Sequence, residues 1–383
     1  MRRRSRLVLT GAALVGALLG IELLTALSSS SEGPLETMLN RLGAAVASVE
    51  YRIRTRATGA GRSRELAWFA PYRTSAERLR QPSTVLLGAY DSRLPDRADG
   101  VVALERTLNT TFPVIQIYVA WGDRAEHAFP LRPLTTISTL GSVAVVTWEP
   151  WLSVFDPARH PSLPLRESRD RGGLAAIARG DYDFYVDQWA ADAARFGRPF
   201  FLRFAHEMND PYRYPWGPQN NTKEEFIAAW KHVVERFRKA GATNVVWVWS
   251  PHVAYEWWDL YYPGADTVDW VATGVLNYGP IAQWSRWWTF REIFGTKYEA
   301  LAAFGKPVMI AELGSLRVGG DRAQWYREAL TDLPSRHPAV KAVLIFAASD
   351  DQTVTAQKVE WSFRGDEAAA AAVRDAIAPW ARR

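Results

Sequence analysis

The chain has 383 residues, 48% of them hydrophobic and 23% charged, with no cysteine and a formal charge of +5. Without cysteine, disulfides, thiol nucleophiles and thiolate-held metals are excluded together. Arg2, Arg3, Arg4 and Arg6 carry four of the five net charges, so the rest has no basic stripe to track phosphates and nucleic acid is excluded as a partner.

The first predicted element is that basic cluster followed by an apolar run from Leu7 to Ile21, which continues past Glu22 to Leu27. Residues 1–32 therefore read as a signal peptide or, if uncleaved, a membrane anchor through residues 7–27. The expectation is an exported protein: secreted, periplasmic or held at the cell envelope. Residues 33–82 read as a helical and linker extension, with a helix from Leu35 to about Arg54, a break at Gly59 and Gly61, and an Arg-rich connector. This segment fits either a stalk or a lid on the base of the following domain.

From residue 83 to 383 short apolar runs recur, each bounded by Gly, Pro, Asp or Asn. They are Thr84 to Tyr90, Pro113 to Tyr118, Val143 to Trp148, Phe200 to Phe204, Asn244 to Trp249, Trp270 to Leu276, Val308 to Ile310 and Ala342 to Phe346. Helical patterns are clearest at Tyr182 to Phe196, Lys223 to Ala240, Lys297 to Phe304, Arg322 to Leu330 and Glu367 to Ala378. Thr222 with Glu225 forms a capping-box pattern before the second of these, and Gly241 ends it. Continuous apolar strands separated by helices predict an α/β fold, the (β/α)8 TIM barrel, with a parallel sheet covered on its outside.

Such barrels place their chemistry at the carboxyl ends of the strands. There the sequence offers Glu149, the run His206-Glu207-Met208-Asn209, Ser250-Pro251-His252, Asn277-Tyr278, Glu312 and Asp350-Asp351. Two carboxyl groups, one to protonate a leaving oxygen and one to attack or to activate water, are what glycosidic cleavage requires. Glu207 and Glu312 fall on strands four and seven, and a gap of about 5 to 5.5 Å between them would mean retention of configuration. The 18 tryptophans suit the same chemistry, because indole faces stack on the C–H faces of sugars; a tryptophan-rich core explains the count equally well. His206-Glu207 does not extend to a zinc-peptidase motif, since Asp210 occupies the second histidine's place. No metal site, cofactor loop, P-loop or serine elbow is legible.

The most specific segments are Phe201-Leu202-Arg203-Phe204-Ala205-His206-Glu207-Met208-Asn209 with Tyr214-Pro215-Trp216-Gly217, and Ala229-Trp230-Lys231-His232 leading to Asn244 through Pro251. Tyr262-Pro263-Gly264, Val268-Asp269-Trp270-Val271 and Pro307-Val308-Met309-Ile310-Ala311-Glu312-Leu313-Gly314 follow. From about Thr84 to Trp361 the chain resembles glycoside hydrolase family 26, the β-mannanase family that also holds mixed-linkage β-glucanases and some xylanases. The resemblance implies a retaining barrel without cofactor or metal, with Glu207 as acid/base and Glu312 as nucleophile. It further implies that His206 lines the site, that Tyr278 hydrogen-bonds the nucleophile, that Trp216 and Trp249 line the cleft, and that Trp361 is a sugar platform. The substrate class implied is a β-linked polysaccharide, β-mannan or mixed-linkage β-glucan, cut by an endo-acting enzyme. Alternatives are a membrane-tethered hydrolase or transglycosylase that trims an exported polysaccharide, and a carbohydrate-binding pseudo-enzyme.

The chain departs from the family pattern after Asn209. Asp210-Pro211-Tyr212-Arg213-Tyr214-Pro215-Trp216 stands where the family has Gly-x-Trp-Tyr-Pro-Trp, and His252 stands where Asn is common.

Overall fold

The computed structural model describes residues 50–51, 53–93, 99–282, 284–353 and 355–380. The expected signal or anchor segment and most of the helix from Leu35 lie outside the described residues, among which no helix is long and apolar enough to cross a membrane. The chain divides into two compact units, 1–61 and 62–383. In the first, residues 50–51 and 53–61 are helical, and an exposed ion pair joins Arg54 to Glu50 one turn earlier.

The second unit is a closed barrel of eight parallel strands in sequential order. They are β1 (Leu86–Asp91), β2 (Val114–Ala120), β3 (Val143–Glu149), β4 (Phe200–Phe204), β5 (Val245–Trp249), β6 (Trp270–Asn277), β7 (Val308–Ser315) and β8 (Val340–Ala347), and β8 closes on β1. The outer helices include α1 (Asp99–Leu108), α2 (Leu131–Thr139), α3 (Asp183–Phe196), α4 (Lys223–Lys239), α5 (Tyr298–Ala302), α6 (Arg322–Leu330) and α7 (Glu367–Ile377). Helix α4 starts on the reciprocal capping box of Thr222 and Glu225 expected from sequence. Gly241 follows it at φ +73°, where a side chain would be strained.

Strand residues divide by parity, as a two-sided sheet demands. One set, including Ile117, Val146, Phe204, Trp249, Ile310 and Leu313, packs outward against the helices. The other, including Val114, Val145, Phe201, Val246, Trp270, Met309, Ala311 and Leu344, fills the barrel's interior. Phe69 and Leu79 join that inner set, and Trp270 donates its indole N–H to the Leu79 carbonyl at 2.8 Å. Residues 62–82 thus cover the amino-terminal end of the barrel. Their anchor is Arg62, buried and paired with Glu105 of α1 at 2.5 Å.

β7 is the strand most underestimated from sequence, because its apolar run stops at Ile310. It continues through a bulge: Thr273 of β6 pairs with Ile310, but Gly274 pairs with Glu312, which leaves Ala311 as the extra residue. A bulge places two consecutive side chains on one face. Ala311 and Glu312 both point inward as a result, and Leu313 returns to the outer layer.

Candidate active site

Glu312 reaches the mouth because of that bulge. Its Oε1 accepts a hydrogen bond from the Tyr118 hydroxyl at 2.7 Å and from Arg203 NH2 at 2.5 Å. Tyr118 and Arg203 occupy inward positions of β2 and β4, in step with Val114 and Phe201 four and two residues earlier respectively. Arg203 is fully buried and further held by Thr147 Oγ1 at 2.9 Å. Burial works against its charge, but the neighbouring Glu312 and Tyr118 outweigh this and hold the guanidinium firmly protonated. Burial, then the Glu312 charge, pushes the Tyr118 hydroxyl well above its usual range, so it remains a donor. The Gln116 side-chain amide sits 2.8 Å from that hydroxyl.

Glu207 is placed differently. β4 ends at Phe204, and Ala205 and Glu207 then adopt left-handed conformations at φ +43° and +54°. Each such residue costs on the order of 1 kcal/mol or more, a strain that persists where surrounding contacts fix it. Here the Glu207 N–H bonds the Ser250 carbonyl at 2.6 Å, and Asn209 clasps the next strand end through the His252 N–H and carbonyl. The Glu207 carboxylate is buried, and its Oε2 accepts from Arg213 NH1 at 3.0 Å.

The remaining oxygen of each carboxylate, Glu207 Oε1 and Glu312 Oε2, carries no hydrogen bond among the described residues. Both face Gly274: a Cβ placed there would lie 3.4 Å from Glu207 Oε1 and 3.6 Å from Glu312 Oε2. The two free oxygens are therefore no more than about 7 Å apart, which admits a nucleophile and acid pair and excludes most of the wider spacing that holds a water between carboxylates.

The other expected site residues fall into two groups. His206 lies beside Glu207 with Nε2 3.0 Å from the Tyr214 hydroxyl, and burial, then Arg203, lowers its pKa well below the usual value, keeping it neutral. Trp216 stacks on Tyr214 at 4.6 Å and donates to the His206 carbonyl at 2.7 Å, so it braces the turn that carries Glu207. Tyr278 is at the mouth, but the hydrogen bond to Glu312 expected of it comes from Tyr118; its ring meets Trp361 edge-on at 4.9 Å. Trp361 is fully buried, with its N–H on Asp351 at 2.8 Å, and packs under Tyr278 with no ring face presented to the cleft. Trp249 is not brought to the cleft at all. Its parity turns it outward, where it packs edge-on against Tyr262 and Phe304 at 5.2 and 5.1 Å.

Sequence reading missed Tyr118, Arg203, Arg213 and Gly274. Arg203 and Tyr118 had a signal, being polar groups at alternate positions of otherwise apolar strands; Gly274 had none. Glu149, at the end of β3, accepts from the Trp151 indole at 3.1 Å, and burial raises it from the ordinary carboxyl value to about 7. Glu207, Asp210 and His252 offer ligand atoms within 4.8 Å of one another, but the cation facing those carboxylates is the Arg213 guanidinium.

Residues 183–316, from α3 to the end of β7, match Glycosyl hydrolase family 26. Over 307 residues the chain is 31% identical to Endoglucanase H of Acetivibrio thermocellus, an alignment covering 77% of this chain and 30% of that protein. A mannan endo-1,4-β-mannosidase of Caldalkalibacillus mannanilyticus is 28% identical over 125 residues, 31% of this chain and 22% of that protein. The chain spans less than a third of the length of these curated relatives. A family 26 β-mannanase structure from Bacteroides ovatus superposes with TM-score 0.56 at 15% identity, over 79% of this chain and 91% of that one, which attests the shared barrel. The matched segment contains both Glu207 and Glu312, so the likeness to glycoside hydrolase family 26 takes in the two carboxylates at the barrel's mouth.

Proposed function

We propose that the protein is a retaining, endo-acting β-glycanase in which Glu312 is the nucleophile and Glu207 the acid/base. The observation that carries this reading is the pair of unbonded oxygens, Glu207 Oε1 and Glu312 Oε2, facing each other across a glycine while the opposite oxygen of each carboxylate is tied down. In the first step Glu312 Oε2 attacks the anomeric carbon, the bond to the leaving oxygen breaks, and Glu207 gives that oxygen its proton. In the second, Glu207 takes a proton from water, the water oxygen bonds the anomeric carbon, and the ester to Glu312 breaks.

Tyr118 and Arg203 stabilise the carboxylate that attacks and later departs. The substrate class is a β-linked glucan or mannan, in line with the names of the endoglucanase and the mannosidase among its relatives. Export rests on the basic and apolar amino terminus alone. The test is release of reducing ends from β-mannan, mixed-linkage β-glucan and β-1,3-xylan. Glu312→Ala should lose activity on the order of 10⁴-fold or more, and Glu207→Ala roughly 10²- to 10⁴-fold. Binding without release by the unmodified protein would refute the reading and leave a pseudo-enzyme.

A further inference from the structure

The loop that departs from the family pattern carries a cation to the acid. Arg213 NH1 lies 3.0 Å from Glu207 Oε2, and its Nε lies 3.9 Å from Oδ2 of Asp210, three residues earlier. Asp210 is buried, its Oδ1 accepts the Tyr212 N–H at 2.8 Å, the Tyr255 hydroxyl lies beside its carboxylate, and its Oδ2 is 3.9 Å from the guanidinium. One arginine thus has two carboxylate seats in reach.

A double-displacement cycle makes opposite demands on Glu207, which must hold a proton in the first step and lack it in the second. A guanidinium on Oε2 favours the anion and so suits the second step while opposing the first. We propose that Arg213 is a positioning residue that alternates between these seats, pairing with Glu207 while it acts as base and with Asp210 while it carries the proton. This rests on the reading of Glu207 as acid/base.

The other charged and titratable groups around Glu207 do not supply such a switch. Glu149 from β3, Glu312 from β7 and Tyr278 after β6 carry no positive charge. Arg203 from β4 is committed to Glu312, and Tyr214 is bonded to His206. His252, after β5, accepts the Ala254 N–H at Nδ1 and is fixed through its backbone by Asn209. Arg213 alone in this set is a cation carried on a loop, with its side chain 19% exposed and set against the Tyr214 ring.

The test uses the full chain with Arg213→Gln, Arg213→Lys and Asp210→Asn. kcat/KM is followed against pH on a β-linked oligosaccharide, whose leaving group needs a proton, and on the 2,4-dinitrophenyl glycoside of the same sugar, whose leaving group does not. With Arg213→Gln the basic limb on the oligosaccharide should move up by about one pH unit, and breakdown of the glycosyl-enzyme formed from the dinitrophenyl glycoside should slow about tenfold. Arg213→Lys should restore both. Asp210→Asn, which confines the arginine to Glu207, should move the basic limb the opposite way. A purely structural role predicts no opposed shifts, and limbs that stay put or move together overturn the proposal.

Carboxyl-¹³C glutamate labelling, with Glu207 assigned by its loss in Glu207→Gln, gives a reading independent of turnover. Glu207 should hold its proton to higher pH in Arg213→Gln than in the unmodified chain, and coincident titrations would exclude the switch. If the unmodified protein cleaves no glycan, the glycanase reading fails while this titration still decides whether Arg213 governs Glu207.

Discussion

At the Glu312 end of the mouth both donors come from inside the sheet: Tyr118 of β2 and Arg203 of β4, each at a regular inward position. At the Glu207 end the backbone is left-handed at two non-glycine residues, and the partner is Arg213 from a connecting loop. One carboxylate is therefore fixed by the barrel, and the other is controlled from outside it. This division suits the proposed reaction, in which the nucleophile must attack and leave from one position while the acid changes its protonation in each cycle. It also separates stability from chemistry, since the same kind of ion pair is buried in the sheet at one end and partly exposed at the other.

The contrast is broken most severely by Arg203→Met. Removing one partner of a buried ion pair leaves the other uncompensated, at a cost of about 3 to 5 kcal/mol, and Arg203 and Glu312 are 0% and 8% exposed as side chains. The melting temperature should fall by roughly 10 °C, and activity should fall with it. Arg213→Gln should lower the melting temperature less, because the Arg213 side chain is 19% exposed and glutamine can still donate to Glu207. Calorimetry on the two variants measures this, and equal losses would show that both ends belong to the same framework.

Tyr118→Phe sharpens the comparison at smaller scale. It deletes one hydrogen bond to a carboxylate, a contribution of about 1.5 to 3 kcal/mol, while Arg203 still holds Oε1. kcat/KM should drop about 10- to 100-fold, with a melting shift of a few degrees. An unchanged kcat/KM would remove Tyr118 from the set that stabilises the nucleophile. Tyr278→Phe supplies the control, since Tyr278 contacts Trp284 and Trp361 through its ring.

The same division explains what was legible in the sequence. Apolar runs marked all eight strands, and the glutamates stood out as carboxylates at strand ends. Arg203 and Tyr118 follow from alternation once the strand is known, as the outward place of Trp249 does from its neighbour Val248, which faces in. The bulge at Ala311 does not follow from any local preference, because it depends on how β6 and β7 pair, and with it goes the inward turn of Glu312. Strict alternation from Met309 would have faced Glu312 outward. Nor does the sequence foretell that Trp361 is covered, since that depends on Tyr278 closing over it from another strand. Arg213 was visible only as a departure from a family pattern, without the partner that gives it meaning.

A third carboxylate records the charge of both ends at once. Burial raises Glu149 to about 7, the Trp151 N–H and Arg203 pull it down, and Glu312 and Glu207 push it up. A folded pKa above the unfolded value means that the native state binds more protons between the two. Stability tied to this group is therefore whole below about pH 4.5 and declines until about pH 7, where the loss is complete. Glu149→Gln should remove that decline. The variant should match the unmodified protein near pH 4 and exceed it near pH 8 by about 3 kcal/mol, or several degrees in melting temperature. Repeating the comparison in Glu207→Gln and in Glu312→Gln backgrounds tests the coupling, because removing either negative neighbour should shrink the gain. A gain unaffected by both would mean that burial alone sets Glu149, and that it does not sense the catalytic pair.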